Sequence, residues 1–261
     1  MISDADRDRA SELLRVAELS ATAIAPLTQT FPGIDVVDAY EIALRGIRRR
    51  LEAGGGLYGH KVGLSSKAMQ QMMGVDEPDY GHLLHDMVLT EDVPVQAARY
   101  LAPRVEVEVG FILGDDLPGQ GCTVQDVLRS TEFVVPAIEL IDSRIADWKI
   151  LLPDTIADNA SAAGVVLGKE RRKSDELDLT AIDATLTRNG ARVASGRSDA
   201  VLGDPTIAVA WLARTVAGFG VRLRAGHLVL PGSCTRAYDV TAGDTVTADF
   251  SGMGSVSLSF C

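Results

Sequence analysis

The sequence predicts an α+β protein in which helices come first and a strand-rich body follows. Up to about residue 52, apolar residues recur at steps of three and four, which is the spacing of amphipathic helices. From about residue 57, short apolar runs alternate with polar residues between turn residues, which is typical of strands. Helices and strands do not alternate in a regular series, so a doubly wound parallel sheet is not expected.

Two capped helices are expected in the first part of the chain. Ser3 is expected to begin the first and Asp35 the second, because these side chains accept hydrogen bonds from the N–H groups at a helix start. Glycines 54–56 end the second helix. Three further helices are expected later: one opened by Asp204, one begun by Thr123 with Asp126, and a short one through Ala68, Met69, Met72 and Met73.

Two strand pairs and one long loop are expected in the body. Residues 178–193 are predicted to form a strand pair with its turn at Asn189-Gly190, a dipeptide that favours tight hairpin turns. A second pair is predicted at residues 245–250 and 255–260. Residues 153–161 are predicted to be a polar loop, and a loop of this length held by a scaffold often carries functional residues.

The strand predicted at residues 104–113 places two carboxylates on one face. Glu106 and Glu108 share that face because side chains two residues apart point the same way, and Glu139 ends a second apolar run. Like charges at this spacing repel, so a cation is expected to compensate. Ligands that are all carboxylates favour Mg²⁺ or Mn²⁺ over Zn²⁺. The alternative is a solvated acidic face with Glu139 unrelated to it.

Four other side chains are candidates for chemistry. Lys61 lies in an otherwise apolar strand, where it either pairs with an acid and grips a substrate carboxylate, or extends to solvent from an edge strand. Asp79 is predicted near a loop tip after Pro78, as an acid–base group or as a structural cap. Asn159 and Ser161 either hydrogen-bond a ligand or satisfy one another within a polar loop.

One ion pair is expected behind the carboxylates. Asp142 and Arg144 follow Glu139 closely in the sequence, and an Asp–Arg pair there would orient the neighbouring ligands.

Composition restricts the kinds of molecule that the protein is expected to bind and the cellular compartment in which it is expected to reside. The chain has 261 residues with 46% hydrophobic content, and its formal net charge of −11 argues against nucleic acid and anionic membranes as partners. Three cysteines at no recognisable spacing are expected to be thiols in a reducing compartment. The start of the chain lacks the pattern of a signal peptide, and no apolar run reaches about 18 residues. We therefore expect a cytoplasmic protein.

The motifs together resemble a known enzyme family, the 2-keto-4-pentenoate (2-hydroxypenta-2,4-dienoate) hydratases of the fumarylacetoacetate hydrolase superfamily. The resemblance covers nearly the whole chain and rests on segments 59–67, 78–81, 104–108, 139–144, 147–149, 157–161 and 252–256. It implies a mixed β-roll as the catalytic domain at 57–261, a helical N-terminal part at 1–56, and a homo-oligomer. It also implies Mg²⁺ or Mn²⁺ as cofactor, with Glu106, Glu108 and Glu139 as ligands.

The resemblance further implies a reaction. A 2-hydroxyalka-2,4-dienoate is protonated at C5, and water adds at C4 to give a 4-hydroxy-2-oxoalkanoate, as in the meta-cleavage catabolism of aromatic compounds or steroids. Lys61 and Asp79 fall on catalytic positions, and Asn159 and Ser161 fall on substrate-binding positions. Association with a downstream aldolase or a decarboxylase is a further expectation.

Three alternatives to a hydratase remain at this point. A 4-oxalocrotonate-type decarboxylase of the same superfamily, acting on 2-oxo-3-hexenedioate, is the nearest, but Asp79 and Trp148 favour the hydratase pattern. A fumarylpyruvate-type hydrolase fits the helical N-terminal part and the Lys61 motif less well. A non-catalytic partner subunit is disfavoured because every ligand position is filled.

Overall fold

The computed structural model describes residues 1–67, 70–71 and 74–261. The short methionine-rich helix expected through Ala68, Met69, Met72 and Met73 lies outside the described residues and stays a prediction. Within the described ranges, none of the helices combines the length and the apolar character needed to cross a bilayer.

The N-terminal part is helical, as predicted. Its helices are α1 (Asp4–Ser20), α2 (Leu27–Thr30) and α3 (Val36–Glu52). The Ser3 side chain accepts a hydrogen bond from the main-chain N–H of Asp6, and that of Asp35 accepts one from Asp38. Both predicted caps are therefore confirmed, and each satisfies an N–H group that the helix itself leaves unpaired.

The body is built from two sheets. The larger contains β1 (Leu57–Gly63), β2 (Asp79–Leu84), β3 (Arg104–Leu113), β4 (Thr131–Ile141), β5 (Ala162–Leu167), β8 (Leu228–Leu230) and β9 (Tyr238–Asp239). The smaller contains β6 (Asp183–Arg188), β7 (Ala191–Arg197), β10 (Thr245–Phe250) and β11 (Gly254–Ser259). Among the described residues, the larger sheet has the order β2-β1-β8-β3-β4-β5 with β9 beside β3, and the smaller has the order β11-β10-β6-β7. Because β1 and β8 run parallel while the other pairs run antiparallel, the architecture is mixed and the predicted α+β class is confirmed.

The predicted hairpins are present with small shifts at their ends. Asn189 and Gly190 adopt φ values of 51° and 81° and join β6 to β7, as the Asn-Gly pair predicted. These strands begin and end a few residues later than residues 178–193. The C-terminal pair β10–β11 lies within one residue of its predicted bounds.

The polar segment 153–161 differs from its prediction. The structure places a helix, α5 (Leu152–Ala157), where a loop was expected, and a 3₁₀ turn at Asn159–Ser161 follows it. Asp154 explains the helix, because its buried carboxylate accepts hydrogen bonds from the N–H of Leu151 and from the N–H and hydroxyl of Thr28. Two other helices of the described ranges are α4 (Val124–Ser130) and α6 (Pro205–Ala217), the latter capped by Asp204 as predicted.

One hydrophobic core joins the N-terminal helices to the body. Leu27 and Ile42 belong to the same buried cluster as Val107 and Phe111 of β3. Helix α3 also packs against α5. The proposed division into a helical part at 1–56 and a catalytic domain at 57–261 therefore stays a prediction. The apolar face of β3 anchors this core, which leaves the opposite face of the strand free to carry the glutamates.

Candidate metal centre and substrate cavity

Strands β3 and β4 bring three carboxylates together. Glu106 and Glu108 alternate onto one face of β3, and Glu106 lies directly opposite Glu139 in the antiparallel register. One carboxylate oxygen from each of the three lies within 4.8 Å of the others. Glu108 and Glu139 are fully buried, while Glu106 is partly exposed. The predicted trio is therefore one cluster and not a solvated acidic face.

Several oxygens of this cluster lack a donor. The main-chain N–H of Gly232 donates to Glu108 Oε2 at 2.7 Å. Among the described residues, Glu108 Oε1 and both Glu139 oxygens have no hydrogen-bond partner. Burial raises the pKa of Glu108 well above its usual value, and the nearby Glu139 and Glu106 raise it further. Buried carboxylates without donors are costly, and a hard divalent cation suits this all-oxygen donor set.

Lys61 supplies the nearest positive charge. It lies on β1, an interior strand between β2 and β8, and is 3% exposed, so it is not a lysine that extends to solvent from an edge. Its Nζ donates to the carbonyl oxygen of Ala160 at 2.9 Å and lies 3.5 Å from Glu139 Oε1. Burial lowers the pKa of Lys61, but Glu139 and the other nearby carboxylates outweigh burial, so the net shift is upward and the ammonium stays charged.

Asp79 lies in a strand and not at a loop tip, which corrects the prediction. It is the first residue of β2, it is 1% exposed, and it lies opposite Gly63 of β1. The Thr155 hydroxyl donates to Asp79 Oδ2 at 3.4 Å. Burial raises the pKa of Asp79, and the charge of Lys61 opposes that rise. The residues around Asp79 are typical of a turn, and a turn was therefore predicted. The pairing of this segment with β1 is a tertiary contact that local sequence does not reveal.

Gly63 makes room for Asp79, and this gives a first testable prediction. A Cβ atom at residue 63 would lie 2.1 Å from Asp79 Oδ1. We expect Gly63→Ala to displace the carboxylate and to lower kcat/KM by about 100-fold, the usual cost of a misplacement of about 1 Å. Metal affinity, measured by calorimetry, should be unchanged because the three atoms nearest to the added Cβ all belong to Asp79.

Gly46→Ala is the matched control for this prediction. Its added Cβ would meet nothing closer than the Ser11 hydroxyl at 3.8 Å, so activity should be preserved. Full activity in Gly63→Ala would show that the position of Asp79 is not important for turnover.

The turn at residues 159–161 is held in an uncommon conformation. Asn159, Ala160 and Ser161 have φ values of 54°, 50° and 57°, and each such residue costs about 1–3 kcal/mol. The Ser161 hydroxyl is buried without a hydrogen-bond partner among the described residues. Asn159 accepts from the N–H of His82 and donates to its carbonyl oxygen, both at 2.8 Å. The structure therefore brings Ser161 to the site, whereas Asn159 braces β2 and does not line the cavity described below.

The predicted pair of Asp142 with Arg144 is wrong. Asp142 instead accepts hydrogen bonds from the N–H groups of Leu101 and Ala102, at 2.9 and 2.7 Å. The buried Arg144 guanidinium bonds the side chain and the carbonyl oxygen of Asp158. The Arg144–Asp158 pair supports the turn that carries Ser161, so it helps to hold Ser161 in position without lining the cavity.

A cavity of about 200 Å³ lies beside the glutamate cluster, Lys61 and Asp79. The polar residues that line it are Lys61, Asp79, Glu106, Thr155 and Ser161. The apolar residues that line it are Leu64, Ile141, Trp148, Ile150 and Ala237, and Arg104 lies opposite Ile141 and against Trp148. Sequence reasoning missed Gly232, which lies 124 residues from the glutamate it binds, and no local pattern could have found it. Thr155 was recognised only as part of a polar segment.

Comparison with known proteins gives consistent matches. Residues 58–260 match the family model described as fumarylacetoacetate (FAA) hydrolase, C-terminal. The chain is 42% identical to a 2-keto-4-pentenoate hydratase of Paraburkholderia xenovorans, with 97% of this chain and 94% of the relative covered. It is 41% identical to a 2-oxo-hept-4-ene-1,7-dioate hydratase of Escherichia coli, with 96% of each covered.

A solved structure matches the whole fold. The 4-oxalocrotonate decarboxylase of Pseudomonas putida G7, complexed with magnesium and adipate, superimposes with a TM-score of 0.97 at 32% identity. The match covers 100% of this chain and 99% of the decarboxylase. The mixed β-roll with a helical N-terminal part, expected from the resemblance, is thereby confirmed.

Proposed function

This chain belongs to the fumarylacetoacetate hydrolase family, and we propose that it is a divalent-metal-dependent hydratase of 2-hydroxyalka-2,4-dienoates. The observation that carries the proposal is a cavity lined by Lys61, Asp79 and Glu106, the last of which belongs to the glutamate cluster. Relatives of this similarity are named as hydratases of such compounds or of their oxo forms, and their matches cover nearly the full length of this chain.

Glu106, Glu108 and Glu139 would hold the metal ion. Their unpaired buried oxygens fit a divalent cation, and we propose Mg²⁺ or Mn²⁺ because both prefer oxygen ligands. When bound, such an ion supplies positive charge that stabilises an enolate oxygen. The related decarboxylase is complexed with magnesium, which supports the same choice here.

Lys61 and Ser161 would bind and orient the substrate. Lys61 donates one hydrogen bond, to the carbonyl oxygen of Ala160, and its ammonium lies 3.5 Å from Glu139 Oε1, so a further N–H is available to the substrate carboxylate. The unpartnered Ser161 hydroxyl is available to a substrate oxygen. Binding of the charged end of the substrate here places its carbon chain along the cavity toward Trp148.

Asp79 would transfer the protons. In its protonated form it gives a proton to C5 while the 2-hydroxyl group releases its proton to solvent, so the dienol becomes a 2-oxo-3-enoate. The resulting carboxylate then takes one proton from water while the OH of that water bonds to C4, and C3 takes up one proton from solvent, which replaces the proton released by the 2-hydroxyl group. The product is a 4-hydroxy-2-oxoalkanoate, and Asp79 returns to its starting state. Thr155 holds the carboxyl group in place throughout.

The test of this function is a direct assay. The purified protein is incubated with 2-hydroxypenta-2,4-dienoate in the presence of Mg²⁺, Mn²⁺ or EDTA, and loss of the dienol absorbance is followed. We expect metal-dependent decay with 4-hydroxy-2-oxopentanoate as the product. Absence of turnover of this dienol and of its alkyl homologues, in protein that binds metal, would refute the hydratase proposal.

A decarboxylase is the second candidate, favoured by one observation. The 4-oxalocrotonate decarboxylase shares the entire fold at a TM-score of 0.97. The same assay discriminates the two, because a decarboxylase would release CO₂ from 2-oxo-3-hexenedioate and would not hydrate the dienol. Asp79 favours the hydratase, because water addition needs a group that both gives and takes protons.

Assembly and compartment are finer parts of the proposal. We propose a homo-oligomer, and association with a downstream aldolase or a decarboxylase would pass the product or substrate directly. Cys122, Cys234 and Cys261 are free thiols, in agreement with the cytoplasmic location expected from the sequence.

A further inference from the structure

The end of the cavity remote from the glutamates has a distinct character. Ile141 lies opposite Arg104 on the neighbouring strand, two residues beyond the pair of Glu106 with Glu139, and Trp148 stacks against Arg104. Together with Ile150, these residues present mainly carbon atoms to the cavity. The substrate carboxylate has its cations at the opposite end, at Lys61 and the proposed metal ion. A substituent on C5 of a bound dienoate, which is far from that carboxylate, therefore meets the apolar end.

The only other cation that lines the cavity, among the residues that the structure describes, is already engaged. The Arg104 guanidinium stacks over the Trp148 ring at 4.4 Å from its centroid. Its Nε donates to Asp239 Oδ1 at 2.8 Å, so the guanidinium is already paired with a carboxylate. Arg104 therefore braces the indole and is committed to an ion pair of its own.

The indole is also held from its other edge. Trp148 Nε1 donates to the carbonyl oxygen of Ala102 at 3.1 Å. Asp147 and Trp148 have φ values of 59° and 54°, an uncommon conformation that costs energy and that the surrounding contacts maintain. The Trp148 ring is thus a fixed wall, and moving it to free Arg104 would break both bonds.

We propose that this chain selects dienoates whose C5 carries hydrogen or a short alkyl group and discriminates against those with a second carboxylate at that end. The inference rests on the proposed function and specifies its substrate class. Overall identity cannot decide the point, because a relative at 41% identity is named for a dioate. The cavity of about 200 Å³ has Lys61 and Arg104 as its lining cations, and each is already paired with a carboxylate, so a second carboxylate of a substrate would have to compete for its partner.

A neighbouring cavity contains cations that could bind the second carboxylate of a dioate. It is about 820 Å³, shares Gly63, Leu64, Glu106 and Ala237 with the first cavity as lining residues, and carries Lys67 and Arg236. Both cations are exposed to solvent, and neither Lys61 nor Asp79 lines this second cavity. A dioate that reached these cations would draw its reacting carbons away from Asp79, so we expect little turnover by that route.

The first arm of the test compares three substrates on the full-length protein with Mg²⁺. They are 2-hydroxypenta-2,4-dienoate, 2-hydroxyhexa-2,4-dienoate and 2-hydroxyhepta-2,4-diene-1,7-dioate. We expect kcat/KM for the dioate to be at least about 100-fold below that for the hexadienoate, since a carboxylate desolvated without a partner is costly. Equal or faster turnover of the dioate would overturn the inference and leave the proposed function standing.

The second arm measures binding and does not depend on turnover. Affinities for the saturated analogues 2-oxohexanoate and 2-oxoheptanedioate are compared by calorimetry in the presence of Mg²⁺. Tighter binding of 2-oxohexanoate is expected, and tighter binding of the dioate would overturn the inference. If no dienol is hydrated but 2-oxohexanoate is preferred, the proposed function fails and the apolar subsite stands.

A matched pair of variants locates the selectivity. Ile150→Lys places a cation in the apolar wall, and we expect it to raise the dioate-to-hexadienoate ratio of kcat/KM by about 10-fold or more. Leu151→Lys adds the same charge one residue away, where the side chain is 59% exposed and does not line the cavity, so the ratio should not change. An equal rise in both variants would assign the effect to overall charge and count against the subsite.

Discussion

Glu106→Gln is expected to abolish metal-dependent hydration, with kcat/KM lowered by about 1,000-fold or more and affinity for Mg²⁺ lowered by at least about 100-fold. The substitution keeps the shape of the side chain but removes one of three negative charges that lie within 4.8 Å of one another. Glu106 is the most exposed of the three, so its loss should disturb the fold least. Calorimetric titration with Mg²⁺ and the dienol assay measure the two effects separately.

Glu132→Gln provides the control for this variant. Glu132 lies on β4, the strand that also carries Glu139, but it is exposed and is not part of the cluster. The same change of charge there should leave affinity and activity unaltered. Unchanged Mg²⁺ binding in Glu106→Gln would show that the trio is structural and is not a metal centre.

Asp79→Asn is expected to separate proton transfer from metal binding. We expect kcat to fall by about 100- to 10,000-fold, the range that a positioned acid–base group contributes. Affinity for Mg²⁺ should stay within about twofold, because Asp79 is not one of the clustered carboxylates. Asn fills the same space and still accepts a hydrogen bond from Thr155, so the local packing is preserved. A variant with normal kcat would remove Asp79 from the mechanism.

The pH dependence of the rate shows whether Asp79 begins the catalytic cycle as an acid or as a base. Burial raises its pKa, and the proposed cycle begins with the protonated form. The wild-type rate should therefore be full below that raised pKa and should decline as the pH rises through it. Asp79→Asn should lack this decline in its residual activity. A rate that increases through the same range would indicate that Asp79 starts as a base.

Thr155→Val tests the positioning of the same carboxyl group. Valine keeps the volume of threonine but cannot donate to Asp79 Oδ2. We expect a smaller loss of kcat than in Asp79→Asn, with the pH of the decline shifted upward because a bond to the carboxylate is removed. A change in KM with no change in kcat or pH profile would indicate a substrate contact instead.

The sequence determined the elements and the chemical type of the site. Capping residues such as Ser3 and Asp35 act on N–H groups a few residues away, so the sequence located the starts of α1 and α3 correctly, although it missed α5. Strict alternation in residues 104–113 placed Glu106 and Glu108 on one face, and that follows from strand geometry alone. The choice of a hard, oxygen-liganded metal also followed from residue type alone.

Only the tertiary structure decided which distant residues meet. The register of β3 against β4 sets Glu106 opposite Glu139, and the pairing of β2 with β1 turns Asp79 from an apparent loop residue into a buried one. Arg144 bonds Asp158 rather than Asp142.

The apolar end of the cavity is likewise a tertiary product. Trp148 stands in the sequence as part of a motif, but the partners that fix it, Arg104 and Ala102, lie more than forty residues away. Polar–apolar alternation in strands and the capping of helices involve residues close together in the chain, so short stretches of sequence predict them. Strand pairing, burial and the partner of each charge depend on contacts between distant segments, and those contacts decide which substrate this chain selects.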